Sequence, residues 1–244
     1  MTNFENKICL VTGASSGFGF ETSLELVKRG ATVIAIGKTL KKLEDLDDAA
    51  KKIKAPGRIV ITPLDLVDFM KIDELGFNIY QRYGRLDIMV ANAASFSGLT
   101  PLHHIKPHIW QNIIDINLTA NWRLIRSMDP LLRMSPAARV AFVGCKNAIE
   151  SSAYYGAYSV SKSALINLME LYSKETIATN IKVNMAIPGA MDTQLWKAEF
   201  SGKDQGEVSR PEKFVVDLLK LLDETCKISG RIVDLEEKLL ETIK

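Results

Sequence analysis

The chain has little of what would take it outside ordinary globular chemistry. Its three cysteines, Cys9, Cys145 and Cys226, are odd in number, far apart and match no metal or redox spacing. That excludes a disulfide scaffold, and Cys9 and Cys226 read as small buried apolar residues. Neither sign of charge dominates: 31 basic and 29 acidic side chains are mixed along the sequence, for a net charge of +2. Nothing resembles the basic footprint or arm of a nucleic-acid binder. No apolar run reaches membrane-spanning length, and the opening MTNFENK carries an acid and no signal-type hydrophobic region, so a soluble, cytoplasmic protein is expected. Internal repeats, low-complexity segments and interdomain linkers are missing as well.

What is present is 244 residues, 47% apolar and 25% charged, enough for one large α/β domain over 1–244 with a substantial core. Ile8 to Val11 is a continuous apolar run of the kind buried on both faces of a parallel sheet, and it leads into TGASSGFG, Thr12 to Gly19. A helix is expected from Gly17 to Arg29, a left-handed cap at Gly30 and a second strand from Thr32 to Ile36. Such a unit presents backbone N–H groups and a helix N-terminus to an anionic pyrophosphate. Gly13 and Gly17 permit the tight turn and Gly19 permits close packing, although the spacing is G-x-x-x-G-x-G and not the commoner G-x-G-x-x-G. After the second strand, where a dinucleotide site usually offers an acid to the ribose, the chain reads Ile36, Gly37, Lys38, Thr39. A cation there suits a 2′-phosphate, so Lys38 favours NADP(H) over NAD(H), with Thr39 as a further donor.

Further strands are expected at Arg58 to Leu64, Leu86 to Ala91, Arg139 to Gly144, Lys182 to Ile187 and Ser229 to Val233. Between them lie helices over Leu40 to Lys54, from an Asp68 cap to about Tyr83, and from Pro107 to about Met134 with a kink or late break at Pro130. A helix from Pro211 to about Glu224 and an amphipathic tail from Leu235 to Ile243 close the chain. His103, His104 and His108 lie close together without an accompanying cysteine or carboxylate cluster, and read as surface or substrate-loop residues and not as metal ligands. Asn117 is a polar residue inside an apolar helix pattern. Ala190 to Arg210 is polar and suited to a lid. Tyr158 and Lys162, four positions apart, share a face of a helix with an apolar stripe from Ala157 to Met169. A fixed ammonium beside a phenol lowers its pKa from about 10, which makes a tyrosine usable as a general acid/base.

With Thr12 to Gly19, Asn92, Asn117, Tyr158, Lys162 and Pro188-Gly189 in order over almost the whole length, the chain resembles the classical short-chain dehydrogenase/reductase family. The resemblance implies a single Rossmann-type domain with a seven-stranded doubly wound parallel sheet and helices on both faces. It implies that Gly13, Ser15, Ser16 and Phe18 line the pyrophosphate and adenosine side, Lys38 the 2′-phosphate, Asp65 with Leu66 the adenine, and Asn92 with Ala93 the ribose. Pro188, Gly189, Met191 and Thr193 resemble the family's nicotinamide contact. Tyr158 would transfer the proton during hydride transfer. Lys162 would hold the ribose hydroxyls and depress the tyrosine pKa, and Asn117 would fix a water linking the lysine to solvent.

Departures from the family pattern fall at the start of the same helix region. Thirteen residues before the tyrosine the family usually has a serine that holds the substrate oxygen; here it is Cys145, a weaker donor. Ser151, Ser152 or Tyr154 are candidates to substitute for it. The usual residues flanking Asn92 are replaced by Ala91 and Ala94, and the C-terminal Gly230 to Leu235 reads GRIVDL. The expectation is an NADP(H)-dependent oxidoreductase interconverting a carbonyl and an alcohol. The alternative is a cofactor-binding, weakly active member acting through a protein partner. The helices around Ile109 to Ile125 and Ala157 to Tyr172, apolar on more than one face, point to a homodimer, or by resemblance a homotetramer.

Overall fold

Short apolar runs rich in Val and Ile form the strands, as expected of segments covered on both faces. The computed structural model describes residues 3–193, 196, 197 and 208–236. Its strands are β1 (Ile8–Thr12), β2 (Thr32–Gly37), β3 (Arg58–Pro63), β4 (Ile88–Ala91), β5 (Arg139–Val143), β6 (Lys182–Ile187) and β7 (Ile232–Asp234). They make one seven-stranded sheet in the order β3-β2-β1-β4-β5-β6-β7, and every pairing is parallel. This is the doubly wound, Rossmann-type arrangement expected. Strand order reverses between β1 and β4, where Leu10 pairs with Met89, so the crevice for a ligand opens at the carboxyl ends of those two strands.

The helices are α1 (Gly17–Lys28), α2 (Leu40–Lys52), α3 (Phe69–Tyr83), α4 (Pro107–Ile114), α5 (Ala120–Arg133), α6 (Gly156–Glu175) and α7 (Glu212–Leu222). Strand alternation divides the core between them. Cys9, Val11, Val33 and Ala35 pack with Leu26 of α1, Leu43 of α2 and Phe214 of α7. Leu10, Ile34 and Ile36 face the other side, against Leu75 of α3, Leu124 of α5 and Leu165 of α6. Each of these leucines is at or near full burial, worth about 1.5–3 kcal/mol apiece in area removed from water. Helix ends follow local chemistry: the Asp68 carboxylate accepts from Lys71 N–H at the start of α3, and Gly84 ends it at φ 71°.

The structure corrects the sequence reading in three places. The single helix expected over 107–134 is two, joined by a π-helical turn, Asp115–Thr119, that carries Asn117. Pro130 does not break α5, which runs through it to Arg133. The last strand is shifted, to Ile232–Asp234, because Gly230 takes a left-handed φ of 73° just before it. Part of the segment expected as a lid, and the tail beyond residue 236, lie outside the described residues. The described ends of the lid segment pair with each other, with Asp192 N–H donating to Ser209 O at 3.0 Å and Ser209 N–H to Ala190 O at 3.2 Å. Among the described residues no helix is long and apolar enough to cross a membrane.

Candidate active site

Packing at the end of β1 dictates the glycines that follow. Thr12 Oγ1 accepts from both Asn92 N–H and Ala93 N–H at 3.0 Å, and Asn92 Nδ2 donates back to Thr12 O at 3.0 Å, which staples β1 to β4. Gly13 turns away at φ 66°, and a Cβ there would sit 2.8 Å from Asn92 Nδ2. A Cβ on Gly19 would sit 2.4 Å from Gly13 O, so the α1 N-terminus can approach the turn only without a side chain. Gly17, at φ 55°, faces Thr193 across the crevice, where an added Cβ would lie 3.1 Å from Thr193 Cγ2.

The crevice is a cavity of about 640 Å³. One wall is the glycine turn, with Gly13, Ser15, Ser16 and Phe18; another is Asn92 with Ala93. Pro188, Gly189, Met191 and Thr193 form the side after β6, and Cys145, Tyr158 and Lys162 close the end. Gly19, Lys38, Asp65, Leu66 and Asn117 do not line it. Gly19 acts beneath the turn. Lys38 and Asp65 lie at the end of β2 and past β3, joined by an ion pair of 2.7 Å in which Lys38 is 78% exposed and Asp65 32%. The hydrogen bond to Asp65 holds the lysine pKa up, and the same bond holds the carboxyl down. Gly37 touches Ser15, since a Cβ on it would lie 2.9 Å from Ser15 Cβ, so this pair continues the glycine-turn wall outward.

Tyr158 and Lys162 fall on one face of α6, as their spacing requires, and both are buried, at 7% and 2% exposure. Lys162 Nζ donates to Val143 O at the end of β5, at 2.7 Å, which fixes the ammonium at the end of the crevice that Cys145 and Tyr158 close. Burial lowers its pKa, and the nearby Cys145 sulfur partly offsets that. Cys145 sits at the end of β5 as the N-cap of the short turn Lys146–Ala148. Burial raises its pKa; opposing that are the Lys162 charge first, then the Ala148 N–H, the Tyr158 hydroxyl and the Asn147 N–H. Burial prevails, so the sulfur is a thiol at neutral pH. The Tyr158 ring is fixed edge-on against Phe96, with centroids 5.2 Å apart.

Asn117 is fully buried. Its Oδ1 accepts from Ser95 N–H at 2.7 Å, and its Nδ2 donates to Ser95 O at 3.0 Å and to Ser161 Oγ at 2.9 Å. That uses both donors of the amide and one of the two acceptor sites of its oxygen. Its backbone carbonyl, available in the π-helical turn, accepts from Asn121 Nδ2 at 2.7 Å. The side chain therefore locks the loop after β4 to α6, and the backbone carbonyl accepts from the neighbouring Asn121.

Several lining residues carry no motif: Lys146, Asn147, Tyr155, Trp196 and Glu236. Tyr155 was detectable only in retrospect, from the left-handed Tyr154 (φ 75°) and Gly156 (φ 33°) that flank it. Glu236 is too distant in sequence to be read. Ser151, Ser152 and Tyr154, expected as substitutes for a serine donor, are all exposed and none lines the cavity. His103 and His104 stack edge to face at 4.2 Å on an exposed turn, His108 is exposed nearby, and none lines the cavity. Among the described residues no cluster fit for a metal ion is found.

Residues 7–204 match the short chain dehydrogenase family. The chain belongs to it. As a short chain dehydrogenase it is an NAD(P)-dependent oxidoreductase acting on CH–OH groups. The 3-oxoacyl-(acyl-carrier-protein) reductase of Thermotoga maritima is 29% identical over 97% of this chain and 98% of its own length. Among solved structures, a short chain dehydrogenase of Salmonella enterica serovar Typhi superposes with a TM-score of 0.89 at 28% identity, covering 96% of this chain and 97% of its own. A Shigella flexneri 2a relative complexed with NADP superposes with a TM-score of 0.90 at 28% identity, covering 95% of this chain and 98% of its own.

Proposed function

We propose that this short chain dehydrogenase is an NADP(H)-dependent oxidoreductase that interconverts a carbonyl and an alcohol on a small or medium-sized molecule, with Tyr158 as general acid/base. The observation that carries this reading is the meeting of the glycine turn, Tyr158, Cys145 and Lys162 in one cavity of about 640 Å³. The turn fits a dinucleotide because Gly13 and Gly19, where any Cβ would collide with Asn92 or with Gly13 itself, let the chain turn tightly and bring the α1 N-terminus up to the crevice. The nicotinamide supplies the hydride when bound.

The chain's own residues do the rest. Gly13, Ser15, Ser16 and Phe18 hold the pyrophosphate and adenosine side. Asp65 and Leu66 border the adenine, Asn92 and Ala93 the ribose, and Pro188, Gly189, Met191 and Thr193 the nicotinamide. Lys162, which keeps two ammonium hydrogens beyond the one given to Val143 O, binds the ribose hydroxyls and favours the phenolate of Tyr158 by its charge. Cys145 keeps its proton and donates an S–H hydrogen bond to the substrate oxygen, while Tyr158 gives that oxygen its one proton in reduction and removes it in oxidation. Asn117 supports the relay through its backbone carbonyl, which can hold a water beside Lys162. NADPH oxidation against a panel of ketones, aldehydes and 3-oxoacyl thioesters tests this reading. Absence of Tyr158-dependent oxidation across the panel, together with tight NADPH binding and a stable protein partner, would favour a binding role instead.

Lys38 carries the preference for NADP(H) over NAD(H). Exposed ion pairs are weak, so a 2′-phosphate, with its greater charge and three acceptor oxygens, can draw Lys38 from Asp65. Titration should show tighter binding of NADPH than of NADH to wild type, and a loss of about tenfold in NADPH affinity in Lys38→Asp. Equal affinities in wild type remove the argument.

A cytoplasmic homodimer, or a homotetramer built from it, is the assembly we propose for this single domain of 1–244. Trp122 on α5 and Val160 and Leu171 on α6 are 45%, 46% and 49% exposed, apolar surface that a second subunit would cover. Light scattering should give a multiple of the 27.1 kDa chain mass, and the monomer mass refutes it.

A further inference from the structure

Charge at one end of the cavity has no part in the proton transfer proposed above. Among the described residues that line it, three are charged: Lys162, Lys146 and Glu236. Lys146 directly follows Cys145, and both it and its partner Glu236 line the cavity that Cys145 and Tyr158 close. Its Nζ is 2.9 Å from Glu236 Oε2 and 3.4 Å from Asp234 Oδ2. The Asp234 side chain is only 5% exposed and accepts from Glu236 N–H at 2.8 Å, which fixes the acids relative to each other at the end of β7. The hydrogen bond that Lys146 donates to Glu236 holds its pKa above the ordinary value, so the lysine stays charged.

One ammonium shared by two carboxylates leaves this wall with a surplus negative charge. Glu236 presses that charge toward the nicotinamide side, because a Cβ on Gly189 would lie 2.8 Å from Glu236 Cδ and 2.9 Å from Oε1. With Oε2 committed to Lys146, Oε1 is the oxygen turned toward Gly189. A substrate anion here would meet a carboxylate at short range while finding Lys146 already shared, whereas a hydroxyl could donate to Glu236.

We infer that Glu236 is a specificity-determining residue, selecting carbonyl substrates that present a neutral hydrogen-bond donor such as a hydroxyl near the reacting carbon and rejecting those with a carboxylate there. The inference rests on the carbonyl-reduction reading above. A like charge a few ångströms away in a partly wet site is worth about tenfold in discrimination.

The test compares 4-hydroxybutan-2-one with acetoacetate, two ketones of the same chain length that differ in a terminal hydroxyl or carboxylate, each with NADPH. In wild type, kcat/KM should favour the hydroxyketone by about tenfold. Glu236→Gln should bring the ratio toward one, with the change entering through KM for acetoacetate. Lys146→Met, which removes the shared cation, should widen it. These opposite directions are not what a general loss of structure produces. A wild-type ratio of one or below, or a ratio unmoved by Glu236→Gln, overturns the inference. If neither ketone is turned over, the quenching of bound NADPH fluorescence gives their dissociation constants, for which the same ratios are expected; equal constants, or no binding of the hydroxyketone, overturn it. Turnover that survives Tyr158→Phe would defeat the catalytic reading while leaving this selectivity standing. Tyr158-dependent turnover without selectivity would defeat this inference alone.

Discussion

Tyr158→Phe is expected to lower kcat/KM for carbonyl reduction by about 10²- to 10⁴-fold, the contribution of a positioned general acid, while NADPH binding is retained. The variant isolates the hydroxyl. The ring is buried, and its edge-on contact with Phe96 at 5.2 Å does not involve the oxygen, so phenylalanine fills the same space. The hydroxyl's neighbour is the Cys145 sulfur, a weak hydrogen-bond acceptor, and its loss should cost less than about 1 kcal/mol of stability. The Asn147 and Ala148 N–H groups still face that sulfur, and Lys162 keeps its bond to Val143 O. Steady-state kinetics with NADPH and a thermal unfolding midpoint, measured together, check both halves. An unfolding midpoint like wild type with unchanged kcat/KM would remove Tyr158 from the chemistry.

Cys145→Ser is expected to raise kcat by about 10²-fold, because one preorganised donor to a developing oxyanion is worth about 10²–10³ in rate. The thiol is protonated at neutral pH, so it can donate, but sulfur donates weakly. A hydroxyl at the same position, capping the same turn and next to the same tyrosine, is a stronger donor of similar size. Single-turnover reduction of the best substrate from the panel, comparing wild type with the serine variant, measures the gain. An unchanged or lower rate would assign the donor role to another group. Tyr155 is then the first candidate, since it lines the cavity and Ser151, Ser152 and Tyr154 do not.

What could be read from the sequence was what depends on a few neighbouring residues. The parallel sheet followed from apolar runs such as Val33 to Ile36, and the glycine turn from a local steric need that Gly13 and Gly19 meet within seven positions. Tyr158 and Lys162 were legible because helix geometry alone puts residues four apart on one face. Other features needed the tertiary structure. Asn117 reads as a core residue within one long helix; in the structure it sits in a π-helical turn, with its side chain bonded to Ser95 and Ser161, which lie 22 and 44 positions away. Pro130 looked like a breaker and sits inside a continuous helix, where packing of α5 on α3 outweighs the lost N–H. The partners of Lys38 and Lys146, Asp65 and Glu236, come from other strand ends, and no periodicity connects them.

The central claim is that hydride moves between NADPH and a substrate carbon beside Tyr158. Deuterium at C4 of the nicotinamide in NADPH tests it most directly, with the product alcohol analysed by mass spectrometry. The account predicts deuterium on the carbinol carbon with wild type and with Cys145→Ser, and almost none with Tyr158→Phe over the same time. Product that forms without deuterium from either face of the nicotinamide, or label transfer at the wild-type rate in Tyr158→Phe, would contradict it.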